Sequence, residues 1–359
     1  MSSKADQVSK PDFLCILGKR QFQVFSQAIT ASGRIGRELL IHADEKILKL
    51  RCFSDTKQAF IAFDFERSFF ERYQVRGDDG SIKCKVPLKC CSMALRSTSK
   101  VEQMVLTLHS NIDHTICFQF RGQHSIIKTC TFFYSESDVF NVNFDKDATT
   151  HQISARTGML SDLLSHIRGT DEMTLEVDAS KEIVKISSFH PSLEDTAVYK
   201  TLKTELSVNF ADFDETELQQ SSNLTFNLTE FKTLITFCTS KAVDIESLTL
   251  FFSNGGQPIC VQTSTSPGSS LLYRSEIVMA TAQFVDASSV TANVNNYTET
   301  PYFREDDEDT KVGSIMMSGN SSNNAAMPPV PSNSSFDSSS QFTGGLQNEN
   351  DLSPTMPGF

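Results

Sequence analysis

The chain has 359 residues, enough for two domains of ordinary size and a tail. Its 44 acidic and 32 basic residues leave a formal net charge of −12, which excludes a freely binding basic nucleic-acid module; DNA contact would have to draw on geometry or on other subunits. Nine cysteines without a C-x-x-C pair, and no apolar run approaching eighteen residues, exclude a disulfide scaffold, a zinc ribbon and a membrane span.

Charge is uneven along the chain. Positions 1–140 carry 20 basic and 15 acidic residues, 141–290 carry 10 and 20, and 291–359 carry 2 and 9. The first part is thus net basic and the other two are net acidic. The opening MSSKADQVSKPD has no apolar signal core, and the chain reads as an intracellular, soluble protein with free thiols.

The first predicted helix begins near Arg20 and aligns Arg20, Gln23, Gln27 and Thr30 opposite Phe22, Phe25 and Ile29. Strand-like runs follow, ILKLRCF (47–53) and QAFIAFDF (58–65). A second helix is expected from Lys85. At 100° per residue Lys85, Lys89, Arg96 and Lys100 fall within about 60° of one another, with Ser92 among them. The runs VLTLHS (105–110), HTICFQF (114–120) and IIKTCTFFY (126–134) come next, and a polar segment, 135–150, ends this part.

A third helix is expected from Thr157, with Thr157, Ser161, Ser165 and Arg168 opposite Met159, Leu160, Leu163 and Ile167. MTLEVDA (173–179) and EIVKISSF (182–189) read as strands after it. The fourth, from Thr229, turns Thr229, Lys232, Thr236 and Thr239 away from Phe231, Leu234, Ile235 and Cys238. Asn254-Gly255-Gly256 then marks a hairpin between SLTLFFS (247–253) and PICVQT (258–263).

The four helices start near 20, 85, 157 and 229, spaced 65, 72 and 72 residues apart. Such a period indicates one supersecondary unit used four times, a helix with a strand before it and three antiparallel strands after it. The fold class expected is α+β, with two units per domain and helices on one side of a sheet shell. The expected divisions are 11–134, a linker at 135–150, 151–282, and a Ser/Asn-rich acidic tail at 283–359 that holds too little apolar surface to fold. None of the four polar stripes so assigned contains a carboxylate, which suggests faces that must not repel a polyanion.

A rival chemistry is visible in FIAFDFER. Asp64 and Glu66, two apart on a strand, project to one face and could hold Mg²⁺ for a 3′–5′ exonuclease, with His166 and Asp171 supplying a later H-x-x-x-x-D. The same residues are also what a solvated strand face looks like. His109, His114 and Cys117 are close in sequence, but strand alternation is expected to separate them. There is no phosphate-binding G-x-x-x-x-G-K-S/T, so ATP use is not supported, and no cofactor is expected. In the tail Ser340 precedes Gln341, Ser334 lies three before Asp337, and Ser353 precedes Pro354; these are candidate phosphorylation sites.

Two segments carry a family resemblance. Arg34-Ile35-Gly36-x-Glu38-Leu39, then Leu48-x-Leu50-Arg51, then Ala59 with Phe63, Phe65, Phe69, Phe70 and Tyr73, form one pattern; residues 226–261, with Glu230-Phe231-Lys232 and Gly256-Gln257-Pro258, form the other. Together they resemble the Rad-nine family of the nine-one-one checkpoint clamp, relatives of the sliding clamp PCNA, from about Pro11 to Ala282. The resemblance implies a non-enzymatic nuclear ring subunit for DNA repair and cell-cycle checkpoint control, with two domains, helices lining a hole and sheets outside. Its implied partners are two other clamp subunits in a heterotrimer, double-stranded DNA, a clamp loader and, through a phosphorylated tail, a BRCT-domain checkpoint activator; no membrane is involved. On that reading the DNA-facing set is Arg20, Lys85, Lys89, Arg96, Lys100, Arg168 and Lys232. Sheet edges near 126–134 and 173–189 would meet the neighbouring subunits.

Overall fold

From Lys19 to Ile35 the chain has no proline and repeats apolar residues at helical spacing, and a computed structural model shows it as one helix, α1 (Lys19–Ile35), burying Phe22, Phe25, Ala28, Ile29 and Ile35. The structure describes residues 10–77, 80–109, 114–138, 142–189, 203–243, 245–264 and 272–283. The helix ends where the Gly36 amide donates to the Ser32 carbonyl at 3.0 Å. Gly36 is needed there, because a Cβ would run into the Phe53 carbonyl oxygen.

Four copies of one unit follow each other. The first is β1 (Phe13–Gly18), α1, β2 (Glu38–Ala43), β3 (Ile47–Phe53) and β4 (Ala59–Glu66), with a short β5 (Arg72–Val75). The second is β6 (Ile82–Pro87), α2 (Leu88–Ala94), β7 (Val101–His109), β8 (Thr115–Gly122) and β9 (Ile127–Phe133), with β10 (Ser135–Glu136). The third is β11 (His151–Arg156), α3 (Thr157–His166), β12 (Glu172–Asp178), β13 (Ile183–Phe189) and β14 (Glu205–Asn209), with β15 (Glu215–Leu218). The fourth is β16 (Ser222–Asn227), α4 (Leu228–Cys238), β17 (Ser247–Phe252), β18 (Ile259–Ser264) and β19 (Tyr273–Met279). Helix starts at 19, 88, 157 and 228 are spaced 69, 69 and 71 residues apart, a tighter repeat than the expected 65, 72 and 72.

The units exchange their first strands. β1 pairs with β7 of the second unit, and β6 pairs with β2 of the first; β11 joins β17 and β16 joins β12 in the same way. The result is a five-stranded sheet (β5-β1-β7-β8-β9), a four-stranded sheet (β14-β13-β12-β16) and a ten-stranded sheet, β10-β6-β2-β3-β4-β19-β18-β17-β11-β15. The ten-stranded sheet crosses from the first two units to the last two through the β4–β19 pair, Phe65 opposite Tyr273 and Ala59 opposite Met279. The helices touch in the order α2, α1, α4, α3, and one continuous core lies between them and the sheets.

β4 is apolar on both faces. Ala59, Ile61, Phe63 and Phe65 enter the core beneath the helices, while Phe60 and Ala62 join Cys260 and Val278 on the opposite face, where Val142 and Phe144 pack on them. The hairpin at Asn254-Gly255-Gly256 is as expected: Gly256 has φ +86° and Gln257 donates to the Asn254 carbonyl at 3.1 Å.

Of the two expected sheet edges, 126–134 lies at an edge and 173–189 does not. Among the described strands β9 is the outer strand of its sheet. The stretch 173–189 forms β12 and β13, both interior, and the edge beyond them is β14. The error is one of neighbours: two long alternating strands were legible, but the short polar ELSVN that covers them was not.

Candidate nucleic-acid interface

The helix layer presents one side to solvent, and its composition differs from helix to helix. On α1 Arg20, Gln23, Thr30 and Arg34 are exposed and Gln27 is half-buried, with no carboxylate on the helix. The Thr30 hydroxyl donates to the Ser26 carbonyl at 2.8 Å, so this face offers cations, amides and already-bonded hydroxyls. On α2 Lys89, Ser92 and Met93 are exposed, and Arg96 and Lys100 follow in the turn after it, also exposed.

The expected single basic stripe on the second helix is corrected. Lys85 is not on α2. It lies on β6, where Cys84 and Val86 enter the core and Lys85 takes the face of the ten-stranded sheet away from the helices, ion-paired to Glu38 at 3.2 Å. The helix starts only after Pro87, whose fixed φ, here −63°, suits a helix boundary and not an interior. At the other end Leu95 closes the helix and Ser97 adopts φ +59°. Lys89, Arg96 and Lys100 thus remain near the helix layer, and Lys85 leaves the set.

The third stripe is corrected as well. Leu160, Leu164 and Ile167 are buried, and Thr157 is buried with them, its hydroxyl donating to the Ile245 carbonyl at 3.1 Å. The exposed face of α3 is therefore Gly158, Asp162, Ser165 and His166. Asp162 puts a carboxylate on a face expected to have none.

On α4 the expected face is the exposed one: Thr229, Thr236 and Thr239 point to solvent and Lys232 is half-buried. Thr236 donates to the Lys232 carbonyl at 2.7 Å and Thr239 to the Ile235 carbonyl at 3.0 Å. The Lys232 ammonium donates to the Ile167 carbonyl at 2.8 Å, and the Arg168 Nε donates to the Ser165 carbonyl at 3.0 Å. Both cations thus cap the carbonyl end of α3, where the helix dipole is negative. Burial lowers the Lys232 pKa, and the nearby Arg168 charge lowers it further.

Glu230 stands in the first turn of α4, its amide donating to the Asn227 side-chain oxygen at 2.9 Å. Burial pushes its carboxyl up to about 7. Between its ordinary 4.5 and 7 the folded chain binds more protons than the unfolded one, so this group favours folding below about pH 4.5 and progressively less as pH rises towards 7. Glu230→Gln should stabilise the protein more at pH 8 than at pH 5, by about 1–2 kcal/mol after allowing for partial exposure. Urea unfolding of both proteins at the two pH values measures the difference, and equal effects at both would contradict it.

The residues of the rival metal reading are not gathered. Asp64 lies on the face of the ten-stranded sheet away from the helices, where the buried Arg51 guanidinium pairs with it at 2.6 Å. Glu66 is exposed two residues on, and His166 is at the end of α3, on the other side of that sheet. His109 and Cys117, expected on different faces, do share the outer side of the five-stranded sheet, but His114 turns to Glu136 at 3.8 Å. No cluster of three potential metal ligands occurs among the described residues. Ser334, Ser340 and Ser353 lie outside the described residues.

Sequence reasoning missed two exposed cations of α1, Lys19 and Arg34. The signal for Arg34 was present, since fourteen residues after Arg20 it returns to the same arc of the helix.

The Rad9 family model matches residues 25–282. The cell cycle checkpoint control protein Rad9 of Drosophila melanogaster is 24% identical over 241 residues, covering 67% of this chain and 51% of that protein. The DNA repair protein rad9 of Schizosaccharomyces pombe is 21% identical over 206 residues, 56% of this chain and 47% of that one. The chain therefore spans about half the length of these relatives. Among solved structures, the proliferating cellular nuclear antigen of Entamoeba histolytica aligns with a TM-score of 0.59 at 10% identity, over 76% of this chain and 100% of that one. The PCNA2–PCNA3 complex of Sulfolobus tokodaii aligns at 0.56 and 15%, over 75% and 98%. The architecture is that of a PCNA-like clamp with four strand-exchanged units, and the chain belongs to the Rad9 family.

Proposed function

We propose that this chain is one subunit of a heterotrimeric ring that encircles double-stranded DNA at damage sites in the nucleus and serves checkpoint signalling and repair. A separate clamp loader opens the ring, and a phosphorylated tail, at Ser334, Ser340 or Ser353, is read by a BRCT-domain checkpoint activator. The observation that carries the reading is the helix layer. α1 and α2 contain no carboxylate, and Arg20, Lys89, Arg96 and Lys100 are exposed on or beside them, in a chain whose net charge is −12. A closed ring holds DNA by topology, so a few weak phosphate contacts suffice. Asp162 on α3 and the capping of α3 by Arg168 and Lys232 support a reading in which the first two helices are the main contact.

Three different chains suit the two sheet edges better than three copies of one. β9 exposes Ile127, Thr129, Thr131 and Phe133, whereas β14 exposes Glu205, Ser207 and Asn209. In a ring of identical subunits these two edges would have to meet each other, a strip bearing Ile127 and Phe133 against a polar one bearing Glu205. Sedimentation tests this directly. The purified chain should run alone near 39.9 kDa, and the complex from its source cells should hold one copy of it with two other chains. A stable assembly of three identical copies would overturn the heterotrimer.

A further inference from the structure

β9 is an outer strand with an unusual burden. Its outward side chains include Ile127, 59% exposed, and Phe133, 70% exposed, and Ile126 just before it is 64% exposed. The hairpin leading into it puts two successive non-glycine residues, His124 and Ser125, at φ +57° and +60°. A strand paired on one side only, next to a turn of that kind, is among the less firmly held parts of a sheet.

Lys128 leaves this strand in the opposite direction. Its ammonium donates to the Ala94 carbonyl and to the Arg96 carbonyl, each at 2.8 Å, and stands 5.5 Å from the centre of the Phe120 ring. These carbonyls belong to the last residue of α2 and to the basic turn after it. α2 has only seven residues, too few to be stable without its surroundings. A charged donor on its carbonyl end both satisfies orphan acceptors and offsets the negative end of its dipole.

We infer that Lys128 is a positioning residue that couples the subunit edge to the DNA-facing turn: a neighbouring chain that pairs along β9 fixes the strand from which Lys128 reaches, and so fixes α2 and Arg96. The inference rests on the ring reading, since it needs a neighbour on β9. Its physical content is short and continuous, from strand edge to ammonium to two carbonyls. Ring closure would then improve the DNA-facing surface of α2, instead of only enclosing it.

The test uses the full chain, alone and in the complex purified from its source cells, as wild type, Lys128→Met and Lys128→Arg. Amide exchange is followed from Cys91 to Arg96, together with the salt concentration at which closed circular duplex is released. Assembly should slow exchange in wild type by about tenfold, the size expected for a charge-assisted bond made firm. In Lys128→Met the complex should still form, but exchange should stay at the rate of the isolated chain and circular DNA should be released at lower salt. Lys128→Arg keeps the donors and should follow wild type. Slowing in Lys128→Met equal to that in wild type would overturn the inference. So would loss of assembly with an unchanged unfolding temperature, because Lys128 would then act on the interface itself. Should wild-type complex release circular DNA as readily as linear, the ring reading fails, while the exchange comparison still decides the role of Lys128.

Discussion

Phe65→Ala should remove about 4 kcal/mol of folding stability. Phe65 is fully buried, and its ring lies 4.8 Å from Phe69, 5.5 Å from Phe25 and 6.0 Å from Tyr273. Those partners come from α1, from the turn after β4 and from β19, so one side chain ties the first unit to the last. Truncation leaves a cavity that the crossing strands cannot collapse into, because β4 and β19 are hydrogen-bonded on each side. Against a total of about 5–15 kcal/mol for an ordinary protein, such a loss brings the folded state close to failure. Phe133→Ala is the control: with its ring 70% exposed it should change the stability of the isolated chain by less than about 0.5 kcal/mol. Urea unfolding of the isolated chain measures both, and a cost below about 1 kcal/mol for Phe65→Ala would mean that the β4–β19 seam is not core.

Asp64→Ala should cost about 2–3 kcal/mol. The Arg51 side chain is 8% exposed and that of Asp64 27%, and they meet at 2.6 Å. One guanidinium nitrogen already donates to the Leu50 and Phe63 carbonyls at 3.1 and 3.2 Å. Removing the carboxylate therefore leaves a fixed, mostly buried charge, and breaking such a pair costs about 3–5 kcal/mol when both partners are fully enclosed. The partial exposure of Asp64 reduces that figure. Arg51→Met in the same chain should recover much of the loss, since the uncompensated charge disappears, and a double-mutant cycle reads the coupling. If Asp64→Ala and Arg51→Met add independently, the pair is not a unit. The pair also bears on the nuclease alternative: a fall in Mg²⁺-dependent cleavage after Asp64→Ala with Glu66→Ala counts only when unfolding has been measured beside it.

The four-unit repeat was legible because it is written in hydrophobic period: 3.6 in the helices, 2 in the strands, and a turn signal at Asn254-Gly255-Gly256. Position within a unit was less so. The lysines at 85 and 89 fit one helical arc, yet Ile82-Lys83-Cys84-Lys85-Val86 also alternates as a strand, and Pro87 between the two decides for the strand. On α3 the arc of Thr157, Ser161, Ser165 and Arg168 leaves out Asp162, and it is the buried Leu160, Leu164 and Ile167 that set which side faces water. Arg34 was absorbed into a family motif although its phase puts it beside Thr30. Lys128 carried no signal at all. Its role depends on a contact across 34 residues between a strand and a helix end, and one-dimensional spacing holds no record of it.

The proposed function requires the helix layer, and not the far face of the ten-stranded sheet, to meet the duplex. The most direct measurement compares two rings on closed circular DNA at rising salt: one with Lys89, Arg96 and Lys100 changed to Glu, the other with Lys85→Glu alone. The triple change should shorten retention by about a hundredfold or more at moderate salt, while Lys85→Glu should leave it at the wild-type value. Unchanged retention in the triple variant, or an equal loss from Lys85→Glu, would contradict it.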